Sequence, residues 1–342
     1  MLSKRGKKWL LFGLRLVIVA VALVYLALNT DWPQLKQVWI DANKWLLVLG
    51  IAAFGPCTVL IALRLKWLLA VHDVHLTAWE AIKATFTGNF IFIAVPVGTT
   101  GGDSVKAFYI ARNTPHKHEA VTTVFFDRLV GVAGLLLLSG AVLLVNWGNP
   151  AFAGLGQVIA VLVLAMFVGA VIFFSNRMRK LFRLDAILDR LPLAEHLRRI
   201  DRAVFAFRHH RLRLLAAFGV TVLLQLDTML SVFFMGWALG LIGEGPLQAL
   251  PVYLGYVPIA LLAGGLPIGA MEITFQGLLA TAAGLGSVEA AVSLSLMGRV
   301  MQLVWALPGA YTVLKGRLTS APTDLIEEET DPHTSSHAAL GQ

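Results

Sequence analysis

Arg128, Asp227, Glu272 and Arg299 each stand inside a long apolar run. A central Arg or Asp in a membrane helix costs roughly 2.5–3.5 kcal/mol on insertion scales, and four left unpaired would cost on the order of 10 kcal/mol. Such residues turn inward and meet partners. Two chemistries fit them. Acid and arginine can pair, for instance Arg299 with Glu272, and lock helices together. Alternatively, the guanidinium forks bind a substrate phosphate, and the carboxylates hold the arginines while the site is empty. Asp103, Asp227 and Glu272 are also candidate proton carriers. Asp127 adjoins Arg128 but points about 100° around a helix from it, off the same face.

The stretch "VPVGTTGGDSVKAFYIAR", residues 95–112, adds a second signal. A proline, three glycines and an aspartate interrupt the apolar pattern, which then restarts as a short helix. Irregular backbone at membrane depth is tolerated where it is buried in protein or lines a wet cavity. Pro96 is expected to end one helical arm, and Gly101 and Gly102 to permit the reversal. Asp103 or Ser104 is expected to cap the second arm. That arm would aim free N–H groups at the middle of the protein, an arrangement that attracts anions. The alternative for the glycines is tight helix contact. Candidate substrate-binding residues are therefore Gly101, Gly102, Asp103, Lys106, Arg128, Asp227, Glu272 and Arg299.

Signatures of soluble enzymes are absent from the sequence. It contains neither GxxxxGK[ST] nor HExxH, and GTTGGD has no following Lys-Ser/Thr, so it is not a nucleotide loop. His116 and His118 form an HxH pair with no evident third ligand, so no metal and no cofactor is expected. Cys57 is the single cysteine, which excludes an intrachain disulfide or a zinc–cysteine cluster.

Composition identifies the solvent that surrounds these residues. Of 342 residues 57% are hydrophobic and 14% charged, against about a quarter charged in soluble domains. Several runs reach the ~20 residues that cross a bilayer as helix. The fold class is all-α integral membrane. Six segments read as full spans: Trp9–Leu28, Trp45–Leu63, Ala120–Val145, Phe152–Phe174, Leu212–Leu241 and Glu289–Leu314. Two further regions, 78–111 and 247–285, are broken by Pro and Gly and read as re-entrant hairpins. Residues 185–210 read as an amphipathic helix in the cytoplasmic interface, and residues 318–342 as a disordered cytoplasmic tail.

The net charge of +8 does not point to nucleic acid, because the basic residues flank membrane segments. Lys4, Arg5, Lys7 and Lys8 precede the first run, Arg177–Arg213 is densely basic, and Lys315 and Arg317 follow the last run. By the positive-inside rule both termini are cytoplasmic, as are Arg64–Lys83 and Arg112–Glu119. The basic faces would contact anionic lipid head groups.

This layout falls into two repeats, 1–146 and 147–317, each with two spans, a hairpin and a third span, of opposite orientation. Val95-Pro96-Val97-Gly98 matches Leu266-Pro267-Ile268-Gly269, an acid follows each (Asp103, Glu272), and an arginine follows at the same distance from each proline (Arg128, Arg299). An inverted repeat with broken helices near the midplane is a transporter architecture.

At these residues the chain resembles a known family. "GTTGGDSVKAFYIAR", "AVTTVFFDRLVG", "GGLPIGAME" and "SLMGR" are similar to the flippase-like transmembrane region of the lysylphosphatidylglycerol synthase family, over roughly residues 5–317. The resemblance implies a bacterial inner-membrane protein that moves lipids between leaflets, with Gly101, Gly102, Asp103, Arg128, Glu272 and Arg299 at the matching positions. Lys106 stands where arginine is expected, and the second motif is short in glycine. No soluble aminoacyl-transfer region accompanies the motifs, so the resemblance does not carry synthase activity with it.

The expected function is lipid transport. The substrate would be an anionic or modified (aminoacyl or glyco) phospholipid or a polyprenyl-phosphate lipid, passing through a polar cavity at the two hairpin tips. Two alternatives stay open: a membrane-embedded transferase using a lipid-linked donor, and a non-transporting membrane partner. Partners are a membrane lipid substrate and, as a further option, a second copy of the chain.

Overall fold

The structure is a computed structural model that describes residues 28, 30–94, 98–148, 152–181, 201, 205, 207, 210–263 and 270–314. The expected first span (except Leu28), the hairpin tips at 95–97 and 264–269, most of the interfacial helix and the tail lie outside the described residues. Among the described residues every regular element is helical.

Among the described residues four helical stretches are long and apolar enough to cross a bilayer: Lys44–His72, Lys117–Val145, Leu212–Ala238 and Val288–Leu314. They match four of the expected spans. Outside the expected spans, α1 (Trp32–Asp41) forms in what reads as an outer loop. The Asp31 carboxylate caps it by accepting from the Gln34 N–H at 3.1 Å. The first long stretch is built of α2 (Lys44–Ala53) and α3 (Gly55–Leu69), which runs on into a 3-10 turn, Ala70–His72. The span therefore extends past its expected end at Leu63, and Arg64 is a buried helical residue rather than the start of a cytoplasmic loop. The apolar residues Leu65, Trp67, Leu68 and Leu69 carry the helix through it.

Next come α4 (Ala78–Ala94), α5 (Gly98–Ala111) and α6 (Lys117–Val145). A Thr77–Glu80 capping box starts α4: Glu80 Oε2 accepts from the Thr77 N–H at 2.8 Å, and Thr77 Oγ1 accepts from the Glu80 N–H at 3.2 Å. With 17 and 14 residues, α4 and α5 are about 26 and 21 Å long, each short of the ~30 Å hydrocarbon layer. The expected cap at Asp103 or Ser104 is corrected. The α5 helix begins at Gly98, so the glycines are helical and Asp103 lies inside the helix.

The chain continues through α7 (Ala153–Phe174), α8 (Asn176–Leu181), α9 (Arg211–Ala238) and α10 (Pro246–Ala263). A short α11 (Ala270–Phe275) passes into a π-helical stretch, Gln276–Ala282, and α12 (Val288–Leu314) follows. The 22 residues of α7 give about 33 Å, the length of the span expected there.

Lipid tails offer helices no hydrophobic drive to associate, so close backbone approach at small residues holds such a bundle together. Gly102 of α5 packs on Gly88 of α4, where an added Cβ would strike the Gly88 carbonyl oxygen. Gly309 of α12 meets the Phe86 carbonyl of α4 in the same way, and the Thr87 and Thr312 hydroxyls pair at 2.5 Å beside it. Gly50 of α2 lies on α9, with its carbonyl accepting from the Ser231 hydroxyl at 2.5 Å. The largest apolar cluster joins α2, α6, α7, α9, α10 and α12 around Met229, Met235 and Tyr253. Leu129, Leu164, Phe167 and Leu215 are exposed, the outward apolar surface of a protein solvated by lipid. Gly102→Val should therefore lower stability by about 1–3 kcal/mol through overpacking. Gly219→Ala, where nothing lies within 4 Å, should leave stability unchanged or slightly raised. Thermal unfolding of both variants in the same detergent checks the contrast.

Candidate functional site

Sequence alone brings an acid and an arginine into each half. In three dimensions each acid meets its arginine. On α5, Asp103 points toward α6 and receives both arms of the Arg128 fork: Nε donates to Oδ2, and Nη2 donates to Oδ1 at 3.0 Å. The carboxylate side chain is only 5% exposed while that of Arg128 is 48% exposed. One turn further along α5, the buried Lys106 ammonium stands 3.7 Å from Asp103 Oδ1. Gly101 and Gly102 sit directly before Asp103 in the helix, and Gly102 serves the contact with α4. At Gly102 the tight-contact alternative accounts for the residue.

The second pair repeats this pattern. Glu272, in the first turn of α11, receives Arg299 Nε at 2.6 Å and Nη2 at 3.3 Å. The carboxylate is 3% exposed and the arginine 31%. Acid and arginine are 25 residues apart in the first pair and 27 in the second. In both, a fully desolvated carboxylate holds a guanidinium whose outer edge stays open. Bidentate pairing satisfies the acid, and the remaining N–H groups of the fork stay available to a planar or tetrahedral anion.

A third ion pair was not legible in the sequence. Arg64 of α3 donates from Nε to Asp127 Oδ1 at 2.7 Å and from Nη2 to Oδ2 at 3.0 Å, with both side chains 5% exposed. Nη1 donates to the Thr221 hydroxyl of α9 at 3.0 Å. The pair ties α3, α6 and α9 together and fixes the rotation of α6. Because Asp127 and Arg128 are consecutive, anchoring Asp127 inward sets where Arg128 emerges. The available signal was Asp127 itself, a second charge in the same apolar run with no partner on its own helix.

Asp227 of α9 lies apart from both arginine pairs. Its Oδ2 accepts from the Cys57 thiol at 2.9 Å, and the thiol also lies 3.2 Å from the Thr228 hydroxyl. Among the described residues Asp227 has no cationic partner, unlike Asp103, Asp127 and Glu272. A cleft of about 530 Å³ opens between α1 and the C-terminal end of α9, lined in part by Gln34, Gln37, Asp41, Asn43 and Trp237. It holds none of the candidate residues.

The family described as the lysylphosphatidylglycerol synthase TM region matches residues 12–309. No curated protein and no solved structure matches the chain.

Proposed function

The chain belongs to the lysylphosphatidylglycerol synthase TM-region family, a membrane and lipid-related family, and from that premise we propose that it is a flippase-like lipid transporter without enzymatic activity. One observation carries this reading: the paired arrangement of buried acid and open-edged arginine at Asp103–Arg128 and Glu272–Arg299. A purely structural ion pair has no need of an exposed fork. A phosphate-bearing head group does, and two such forks offer it a relay between leaflets. The substrate is an anionic or modified phospholipid or a polyprenyl-phosphate lipid, bound at Arg128 and Arg299. The acids hold the arginines in place between transport events.

The supporting architecture is an inverted repeat of six spans and two re-entrant hairpins in a bacterial inner membrane, with both termini cytoplasmic. The matched proline–arginine spacing and the short arms α4 and α5 favour it. Cysteines placed at Asn149 and Gly243 of a Cys57→Ser background should label from outside, and one at Arg183 only from inside. Outside labelling at position 183 would overturn the repeat. Asp227, whose carboxylate meets the Cys57 thiol and no cation among the described residues, is the candidate proton carrier in this scheme. The transport reading itself is tested in liposomes. Purified protein should exchange a fluorescent phospholipid between leaflets faster than protein-free vesicles do, and an unchanged rate across anionic, aminoacylated and glycosylated head groups would contradict it.

A further inference from the structure

Asp103 faces two cations. Arg128 occupies both of its oxygens, while Lys106 stands 3.7 Å from Oδ1, outside hydrogen-bond range. Among the described residues the Lys106 ammonium has no hydrogen-bond partner, although its side chain is only 5% exposed. Its aliphatic stem packs on Gly88 of α4. One turn away on the same helix, the buried Thr85 hydroxyl also lacks a partner. Arg64 and Asp127 are within electrostatic reach of Lys106 and neutralise each other. The cluster thus joins three cations, Arg64, Lys106 and Arg128, to two acids, Asp103 and Asp127. Among the described residues one positive charge is left over, beside Asp103 and Lys106 side chains that are each only 5% exposed. A buried ammonium so poorly paired is unfavourable unless a counter-charge arrives.

Building on the transport reading, we propose that this surplus charge selects a head group bearing one negative charge, a phosphodiester, and that Lys106 is the reserve cation that takes over Asp103 when the phosphate engages Arg128. Arg128 is the one cation of the three with an open edge. A phosphodiester oxygen accepts its N–H groups and loosens the hold on Asp103. The carboxylate then turns to Lys106, already beside it. Three neutral pairs result: phosphate with Arg128, Asp103 with Lys106, and Asp127 with Arg64. A phosphomonoester dianion or a diphosphate would leave negative charge unbalanced at the same place. Lys106 is accordingly a positioning residue, since it acts on the lipid through Asp103. The charge count narrows the substrate from the wider set to phosphodiester lipids.

Native mass spectrometry of the full chain in neutral detergent tests this. The probes are phosphatidylglycerol, phosphatidic acid, a polyprenyl diphosphate and inorganic phosphate as competitor. Phosphatidylglycerol should be preferred over phosphatidic acid and the diphosphate, and inorganic phosphate should not displace it. Lys106→Met should weaken phosphatidylglycerol binding about tenfold and erase the preference, with unfolding temperature equal to or above that of the parent. Lys106→Arg should restore both affinity and preference. The proposal is overturned if Lys106→Met binds phosphatidylglycerol as the parent does or loses thermal stability. It is equally overturned if the dianionic lipids are preferred, or if inorganic phosphate competes at equal concentration. Binding of the expected kind without leaflet exchange would remove the transport reading and leave the subsite standing.

Discussion

Arg64→Met should be the most destabilising single change in this protein, lowering stability by about 3–5 kcal/mol, because it leaves Asp127 as a desolvated charge without a counter-ion. Arg64 supplies four hydrogen bonds: two to the Asp127 carboxylate, one to the Asp127 backbone carbonyl and one to Thr221. With both side chains 5% exposed, no water replaces them. The double variant Arg64→Met with Asp127→Leu removes both charges at similar volume and should recover most of the loss, as exchanges of a buried pair for apolar residues do. Thermal unfolding of the parent, both single variants and the double variant decides it. A loss below about 1 kcal/mol for Arg64→Met, the range of exposed ion pairs, would mean that the pair is hydrated and that α6 is not fixed by it.

The second large effect falls on activity. If Arg299 served only to neutralise Glu272, Arg299→Ala would leave a buried acid without its counter-ion. Adding Glu272→Gln would then recover both folding and transport. With Arg299 binding substrate, the outcomes separate. The double variant should fold close to the parent yet exchange lipid at least about tenfold more slowly, the loss expected when a charge-assisted bidentate contact disappears. Full transport by the double variant would make Arg299 a structural partner alone. Arg299 keeps about a third of its side chain open while Glu272 is sealed, an asymmetry that neutralisation by itself does not require.

The pairing of Glu272 with Arg299 was legible in the sequence because unpaired charge in an apolar run forces a search for partners, and few partners exist. Four long spans were legible from length and hydropathy alone. The start of α5 was not. Glycine and proline read as chain reversal, yet from Gly98 onward the glycines continue the helix because Gly102 needs to lie flat on Gly88. Local propensity lost to interhelix packing there. Arg64 was hidden for a related reason. A basic residue at the end of an apolar run looks like the membrane boundary, and only its long-range partner, Asp127, shows that it is interior. The π-helical stretch Gln276–Ala282 and the α1 helix in an expected loop likewise depend on contacts, such as the 3.0 Å bond from the Trp39 indole N–H to the Ser293 hydroxyl, that sequence spacing does not encode.

The central claim is that open-edged arginines hold the head group of a moving lipid, and the most direct measurement changes the fork while keeping the charge. Arg128→Lys and Arg299→Lys, each reconstituted in liposomes, are to be compared with the parent for leaflet exchange of fluorescent phosphatidylglycerol, with unfolding temperature recorded on the same preparations. Lysine still neutralises Asp103 or Glu272 but cannot make two parallel N–H bonds. Both variants should unfold within a few degrees of the parent and exchange lipid at least about tenfold more slowly. Parental exchange rates in both folded variants would contradict the account, since charge alone would then be enough and no head group would be held by the forks.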